Sequence, residues 1–254
     1  MKNLINEIEE LLEHFKSYDN KVNINPIVTG ITDAYTEVHR HYHNLNHLSE
    51  CLTEFTEVEN LFSHYNLMKY VLVYHDIIYV PAAKYNEEMS ITKATIDFKK
   101  LGYQELFDIG YISNSRGSID LISLGILATK HNVSIEEVVE KNLIYSTQVD
   151  KELILKDLKL VSDIDLSIFG QSKKRIDEYE HEIREEFDFV EDKVYKEARI
   201  KILSQFLEKK YIYKSRYFRN KYQKLARENL TYLIDKLNPN FKDASNGTTT
   251  SNPG

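Results

Sequence analysis

The chain has 254 residues, of which 42% are hydrophobic and 29% charged, with only 8 Gly and 4 Pro. This composition excludes intrinsic disorder, and so few turn-forming residues argue against an all-β sandwich or barrel. The formal net charge of −7 excludes a general electrostatic attraction to nucleic acid or anionic lipid, although it leaves room for a local basic patch.

The compartment is predicted from the cysteine content and the N-terminus. Cys51 is the only cysteine, which excludes a disulfide scaffold and a four-cysteine zinc site and is typical of the reducing cytoplasm. The first residues, MKNLINEIEELLEHF, are acidic and amphipathic rather than a signal peptide. No apolar stretch reaches the ~20 residues that span a bilayer. We therefore expect a cytoplasmic protein without a membrane partner; the sequence predicts no oligomeric state.

Apolar residues recur at helical spacing along most of the chain, with no extended strand-like alternation and no internal repeat. The sequence therefore predicts an all-α fold. Between the first two helices, Asn25, Pro26 and Gly30 predict a loop. Helices are predicted over residues 2–17, 44–65, 67–79, 85–101, 118–131, 147–161, 172–189, 191–209 and 219–237.

No shift in composition marks a domain boundary, so we expect one helical domain over residues 1–242. Residues 243–254 are rich in Ser, Thr, Asn and Gly, which predicts a disordered tail. The helix predicted over 67–79 is apolar on nearly all sides. This pattern is typical of a central, buried helix, and Pro81 is expected to end it.

Two polar residues, His75 and Asp76, interrupt this apolar helix. Burying them costs free energy unless a partner satisfies them. Adjacent helical residues point about 100° apart, so a shared external partner such as a metal ion is one explanation. The alternative is a His75 ring hydrogen-bonded to a carbonyl and an Asp76 carboxylate paired with an arginine. The two residues alone do not decide between these explanations.

Upstream, His39, His43 and His47 follow one another at four-residue steps, a spacing typical of metal ligands on one helix face. Asn44 predicts an N-cap, which places His43 just outside the helix and His47 in its first turn. The spacing alone favours the simpler explanation, a polar, histidine-rich entry to a helix.

Three further segments carry polar side chains. Asp163 and Asp165 lie near the end of a helical stretch, two residues apart, so they face different ways. Lys130 and His131 end an apolar helix, where cations also interact favourably with the helix dipole. The acidic segment 86–90 follows the loop behind Asp76. Each segment, taken alone, is also explained as an ordinary helix end.

Taken in order, His47, His75, Asp76 and Asp165 resemble the H…HD…D signature of the HD-superfamily metal-dependent phosphohydrolases. The local words are similar to a bacterial and phage branch with YHNxxH, HDxxY, NEExS, ATKH and DxDLSxxG segments, followed by IRxE and YxxxR. The resemblance spans roughly residues 35–235 and departs at Asn132, where many relatives carry a second histidine. The matching segments here are residues 42–47, 75–79, 86–90, 128–131, 163–170, 183–186 and 195–199.

The resemblance implies an HD-domain helical bundle in which His47, His75, Asp76 and Asp165 bind one divalent cation. Asp163 stays the alternative to Asp165. Such a set suits Mn²⁺, Fe²⁺, Co²⁺ or Ni²⁺ better than Mg²⁺, and we expect Mn²⁺. Because Asn132 replaces the second histidine, a single-metal site is expected.

The resemblance also implies the activity. We expect a hydrolase that uses a metal-activated water to cleave a phosphate ester or anhydride of a nucleotide or related small phosphate. The type of bond cleaved is not predicted. The expected catalytic side chains are Glu87, as general base or water-orienting group, Lys130 and His131. The expected phosphate and substrate contacts are Arg40, Arg184, Tyr195 and Arg199. The residues expected to support the ligands from behind are His43, Asn86 and Asp163.

A basic and aromatic segment, residues 209–224, predicts a different function. The segment KKYIYKSRYFRNKYQK holds seven basic residues and no acid, interleaved with five Tyr or Phe rings. Basic charge with stacking rings is typical of surfaces that bind single-stranded nucleic acid. In this alternative the chain is a nucleic-acid-binding or interaction protein with a structural or inactive HD site. The sequence alone favours the simpler explanation, a solvated helix face with its rings in the core.

Overall fold

The computed structural model describes residues 2–17, 21–102, 115–142 and 148–238. All regular elements in these ranges are helical, which confirms the all-α prediction. None of the described helices has the length and apolar character needed to cross a bilayer. The tail predicted to be disordered, residues 243–254, lies outside the described residues.

The chain divides into two compact units, Met1–Ser167 and Ile168–Gly254. Compactness alone does not show that either unit folds by itself, so the single domain over residues 1–242 stays a prediction. The described α-helices of the first unit are α1 (Lys2–His14), α2 (Asn25–Ala34), α3 (Leu45–Glu57), α4 (Tyr65–Tyr74), α5 (Asn86–Lys100), α6 (Ser115–Ala128), α7 (Ile135–Asn142) and α8 (Gln148–Asp165). Short 3₁₀ segments cover Glu59–Leu61 and Leu166–Gly170.

The central helix of the first unit is α4, which contacts α1, α3, α5, α6 and α8. Its side chains, including Leu67, Met68, Val71 and Leu72, are buried, as its apolar sequence predicted. Burying an aliphatic side chain of this size contributes about 1.5–3 kcal/mol. The C-terminal end of α4, where His75 follows directly, is therefore fixed by core packing.

The loop predicted around residues 25–30 is wrong, because this segment forms α2. Pro26 lies in the first turn, where the missing N–H removes no hydrogen bond. Ile27, Val28 and Ile31 are buried. Burial of this apolar face outweighs the turn preference of the local sequence. Helix α7 was also missed, since it is only eight residues long.

The helix predicted over residues 44–65 is interrupted between α3 and α4. There the carboxylate of Asp157, on α8, accepts hydrogen bonds from the backbone N–H groups of Ser63 (2.9 Å) and His64 (2.8 Å). These bonds satisfy donors at the start of α4 that no carbonyl of the helix can reach. The interruption depends on a residue from a distant part of the chain, so local periodicity did not reveal it.

Helix α4 also ends at Tyr74, before the predicted end at residue 79. The guanidinium of Arg40 donates to the backbone carbonyls of Asp76 (2.6 Å) and Ile77 (3.0 Å). In a longer helix the carbonyl of Ile77 would face Pro81, which has no N–H to donate. His75 and Asp76 therefore lie just beyond the C-terminus of the helix rather than inside it.

The second unit contains three α-helices among its described residues. They are α9 (Lys173–Glu186), α10 (Asp192–Glu208) and α11 (Arg216–Leu237). Leu203, Phe218, Leu230 and Leu233 are buried in this unit. Their boundaries lie within three residues of the sequence predictions, because each helix has a regular apolar stripe and a clear stop.

Gly125 allows α6 to approach α4 closely. A Cβ atom at residue 125 would lie 2.5 Å from Cγ2 and 2.8 Å from Cγ1 of Val71. Val71 is β-branched and cannot easily rotate these methyls away. We expect Gly125→Ala to destabilise the protein by about 1–3 kcal/mol in chemical denaturation. The control is Gly30→Ala, where the new Cβ would meet only Lys93 Nζ at 3.9 Å. Equal unfolding midpoints for the two variants would contradict this packing.

Candidate metal centre

Four segments of the first unit bring polar side chains to one point. His47 comes from α3, His75 and Asp76 from the end of α4, and Asp165 from the end of α8. His131, from the segment after α6, contacts Asp165 through Nε2 and Oδ2, which are 3.0 Å apart. Residues that are distant in sequence therefore form one cluster.

The local sequence places His47 in the first turn of α3. The side chain of Asn44 accepts a hydrogen bond from the N–H of Asn46 (2.8 Å), which confirms the predicted N-cap. His43 lies just before the helix, and its ring stacks on Tyr79 with a centroid distance of 4.0 Å. His43 thus packs against the segment that follows Asp76.

The separations of the donor atoms test whether one ion fits. His47 Nε2 lies 3.2 Å from His75 Nε2 and 3.3 Å from Asp165 Oδ1. Asp76 Oδ2 lies 3.1 Å from His75 Nε2 and 3.7 Å from His47 Nε2. Two donors that are each about 2.1 Å from one ion lie about 3.0 Å apart at a right angle and about 3.4 Å apart at the tetrahedral angle. Each carboxylate thus lies at a separation from the two imidazoles that is compatible with one shared divalent cation.

The ring of His75 is oriented by a backbone hydrogen bond. Its Nδ1 lies 2.7 Å from the carbonyl oxygen of Leu72, so we assign the ring proton to Nδ1. Nε2 then faces the cluster, and it can bind a metal once it has lost its own proton. The carbonyl contact had been an alternative to a metal role for His75; the structure shows that it accompanies the cluster and orients the ring for it.

The charges of the cluster favour a cation at its centre. Burial by itself lowers the pKa of His75, but the carboxylates of Asp76 and Asp165 outweigh burial and raise that pKa well above its usual value. Burial likewise opposes the ionisation of Asp165, yet hydrogen bonds from His131, His47 and His75 hold its pKa well below the usual value. Burial also opposes the ionisation of Asp76, but the charge of His75 and a hydrogen bond with it hold the Asp76 pKa well below its usual value. Both carboxylates therefore stay ionised, and the site attracts positive charge.

The cluster is closed on one side and open on the other. The side chains of His75 and His47 are only 1% and 2% exposed, whereas those of Asp76 and Asp165 are 18% and 15% exposed. The imidazoles are thus fully buried, whereas the carboxylates are partly exposed to solvent. An ion held here can also reach a ligand that arrives from solution.

Sequence reasoning missed Cys51 as a member of this group. Its Sγ, with donor atoms of His47, His75 and Asp165, forms a set in which all atoms lie within 4.8 Å of one another. Burial, and then the carboxylates of Asp165 and Asp76, raise the pKa of the thiol well above its usual value. The available signal was the spacing of His47 and Cys51, since residues four apart share a helix face. This buried His/Cys/His/Asp group can hold a metal ion.

A sulfur donor changes which metals a site prefers, because thiolates favour softer ions such as Zn²⁺ over Mn²⁺. We therefore expect Cys51→Ser to bind metal still, but with a Zn²⁺:Mn²⁺ ratio several-fold below that of the unaltered protein. The ratio is measured by elemental analysis after equilibration with equimolar ions. Cys51→Ala, which also removes the sulfur, is expected to lower the ratio in the same way. An unchanged ratio in both variants would exclude Cys51 as a ligand.

Two carboxylates of α5 pair with Lys130, a residue next to the cluster residue His131 in the chain. Lys130 lies two residues after the end of α6. Its Nζ lies 2.8 Å from Glu88 Oε1 and 3.6 Å from Glu87 Oε2. These carboxylates raise the pKa of Lys130, chiefly through the Glu88 hydrogen bond, so it stays protonated. Among the predicted catalytic residues, Lys130 therefore pairs with Glu87, and its neighbour in sequence, His131, contacts Asp165.

The segment after Asp76 is held in place by α5 and Arg40. The side chain of Asn86 accepts from the N–H of Val80 (3.1 Å) and donates to its carbonyl (3.0 Å). Ser90 Oγ accepts from the N–H of Ile78 (3.1 Å). Arg40 is almost fully buried and donates to backbone carbonyls. These contacts favour a positioning role for Arg40 over contact with a phosphate.

The remaining predicted residues lie elsewhere. Asp163 is fully buried on α8, two residues before Asp165. In the second unit, Glu180 accepts hydrogen bonds from Tyr195 (2.7 Å) and Arg199 (3.0 Å). Arg184 donates to the carbonyls of Phe187 and Val190. The guanidinium of Arg184 also lies 4.8 Å from the ring centroid of Tyr195, which joins the IRxE and YxxxR segments. The predicted substrate contacts of the second unit stay predictions.

Comparison with known proteins adds no relative. The chain matches no family model, and the searches of curated proteins and of solved structures found no significant similarity. The functional argument therefore depends on the geometry of the cluster and on the sequence motifs that supply its side chains.

Proposed function

We propose that this protein is a divalent-metal-dependent phosphohydrolase of the HD type. The observation that carries the proposal is the convergence of His47, His75, Asp76 and Asp165 at separations suited to one cation. These residues occur in the order H…HD…D, with two imidazoles buried and two carboxylates facing solvent. A site in the core with an open side suits catalysis better than a closed structural site.

Each part of the cluster has a proposed task. A divalent cation bound there lowers the pKa of a water molecule and polarises a phosphoryl oxygen. Asp165 holds His131 through its second oxygen, which places that imidazole beside the ligands. Lys130 carries positive charge at the open side, where it can stabilise the negative charge that develops on a transferred phosphoryl group. Glu87 offers a carboxylate beside Lys130 that can accept a proton from an attacking water.

The proposed metal is a first-row divalent ion. Two imidazoles and two carboxylates suit Mn²⁺, Fe²⁺, Co²⁺ or Ni²⁺ better than Mg²⁺, which prefers oxygen ligands. Mn²⁺ is the ion favoured from the four-residue set alone. A contribution from Cys51 would favour Zn²⁺, Fe²⁺ or Co²⁺ instead. The proposed substrate is a nucleotide or a related small phosphate, which follows from the resemblance of the motifs.

A substrate panel tests the activity. Metal-free protein is supplied in turn with Mn²⁺, Fe²⁺, Co²⁺ and Mg²⁺, and incubated with nucleoside mono- and triphosphates, a phosphomonoester and a phosphodiester. We expect release of phosphate or of the ester's leaving group that requires added metal and is abolished in Asp165→Ala. Asp120→Ala, an exposed carboxylate on α6, is the matched control and is expected to keep full activity. Lack of turnover with every metal and substrate would contradict the proposed function.

A further inference from the structure

The second unit carries a surface with a strong local excess of positive charge. Between residues 209 and 227 there are eight Lys or Arg and no Asp or Glu, although the whole chain has a net charge of −7. The preceding part of the same unit is acidic, with ten Asp or Glu and three Lys or Arg between residues 177 and 197. The two signs of charge are therefore segregated along this unit. On a solvated surface without a partner, positive and negative residues are usually interspersed.

The helical geometry puts three of the four basic residues between 216 and 224 on one face of α11, while Arg219 lies about 60° beyond Arg216, on the other side of it. Arg216, Tyr217, Lys221 and Lys224 lie within about 140° of one another around the helix axis, and all four are exposed or half-buried. Phe218, on the opposite side, is fully buried and holds this helix to its unit. The ring of Tyr217 is half-buried on this face: it packs edge-on against Phe218, and Lys221 Nζ lies 5.9 Å from its centroid.

A second ring extends this face towards the end of α10. Tyr211 is 47% exposed, and the guanidinium of Arg219 lies 4.6 Å from its ring centroid. The Lys210 ammonium lies 5.3 Å from the same centroid. Within the described residues, Lys210, Arg216 and Arg219 form no ion pair with a carboxylate, so their charge is available to an external anion.

The charges in the first turn of α11 are unfavourable for the helix dipole. The first turn of α11 contains no acid and begins with Arg216. Cations at a helix N-terminus are unfavourable because they meet the positive end of the helix dipole. Departures of this kind from local preference tend to mark functional positions. An anion bound beside the first turn would interact favourably with both the helix dipole and Arg216.

We propose that this basic-aromatic surface, formed by Tyr211, Arg216, Tyr217, Arg219, Lys221 and Lys224, binds single-stranded nucleic acid. In this proposal the cations contact the phosphates, and the two tyrosine rings, one of them beside Arg219, offer planar faces to unpaired bases. Because unpaired bases can stack on the rings, such a surface binds a nucleic-acid strand more tightly than an anion that has no bases. The surface is independent of the metal centre and adds a binding activity to the proposed hydrolase.

Fluorescence anisotropy of the full-length protein with a labelled oligothymidine strand tests the proposal. Binding is expected at low salt and to weaken as salt rises, with a log–log slope of roughly −2 to −3 if three or four phosphates are contacted. A duplex of equal length is expected to bind more weakly, because its bases are already stacked. The double variant Arg216→Glu/Lys221→Glu is expected to weaken binding by at least about tenfold.

Matched variants separate this surface from general charge effects. Lys174→Glu/Lys201→Glu makes the same change of charge at exposed positions on α9 and α10 and is expected to leave affinity within about twofold. Tyr211→Leu keeps apolar bulk but removes the ring, and about a fivefold or greater loss is expected. Circular dichroism is the control that each variant stays helical. His75→Ala, which targets the metal centre, is expected to bind the strand normally, so the two proposals fail independently.

Several results would overturn the proposal. They are an absence of salt-dependent binding, an equal loss in the control double variant, or inorganic polyphosphate competing as well as the oligonucleotide at equal phosphate concentration. Full retention of affinity in Tyr211→Leu would contradict stacking. Binding to phosphatidylserine vesicles that an excess of oligonucleotide does not displace would assign the surface to an anionic membrane instead.

Discussion

His75→Ala is expected to abolish metal binding and phosphohydrolase activity together. The Nε2 atom of His75 lies within 3.5 Å of donor atoms of His47, Asp76 and Asp165, so its removal takes away the contact that all other ligands share. The two carboxylates then face each other without the buried imidazole that balances them. Even the loss of a residue behind a ligand costs 10–100-fold in metal affinity, so we expect a loss of at least about 100-fold here.

Isothermal titration of metal-free protein with Mn²⁺ or Zn²⁺ measures this loss, with phosphate release followed on the same samples. His75→Gln, which keeps a polar side chain of similar length, guards against misfolding of the alanine variant. His181→Ala, on the exposed surface of α9 in the second unit, is the matched control. Tight metal binding by both His75 variants would exclude His75 as a ligand, and activity that outlasts metal binding would separate the hydrolase from this site.

Asp157→Ala is expected to cause a large loss of stability. The Asp157 side chain is completely buried. Its carboxylate accepts hydrogen bonds from the N–H groups of Ser63 and His64 and contacts His64 Nδ1 at 2.8 Å. Alanine would leave the buried N–H and ring of His64 without this acceptor and remove the partner of the Ser63 N–H, at the start of the helix that forms the centre of the first unit. Removing one partner from such a buried, hydrogen-bonded pair costs about 3–5 kcal/mol.

Thermal unfolding followed by circular dichroism measures the effect, for which we expect the melting temperature to fall by about 10 °C. The matched control is Asp177→Ala. Asp177 also accepts hydrogen bonds, from Tyr232 and Lys236, but its side chain is 38% exposed, so the expected loss is below about 1 kcal/mol. Equal melting temperatures for the two variants would show that Asp157 does not hold α4.

Much of the helical architecture follows from the sequence because it depends on local patterns. The apolar run before His75 predicted a central helix, and Asn44 predicted the start of α3; the structure confirms both. The second-unit helices agree for the same reason. Two predictions were wrong because contacts from elsewhere in the chain decide the structure there. Helix α2 forms because its apolar face is buried. The break before α4 depends on Asp157.

The cluster shows the same division between local signals and tertiary contacts. The motifs indicated which side chains belong together, and the structure brings Asp76 and Asp165 each close to both His47 and His75. Cys51 was missed because a lone cysteine carries no signal until the partners of His47 are known. Arg40 was expected at a phosphate, but only the fold reveals the carbonyls of Asp76 and Ile77 that its guanidinium contacts.

The most direct measurement is anomalous X-ray diffraction from crystals grown with Mn²⁺, recorded on both sides of the manganese absorption edge. The account predicts one anomalous peak per chain, within about 2.3 Å of His47 Nε2, His75 Nε2 and an oxygen each of Asp76 and Asp165. Well-ordered crystals with these four side chains in place but no anomalous peak among them, or with manganese bound only at other residues, would contradict it.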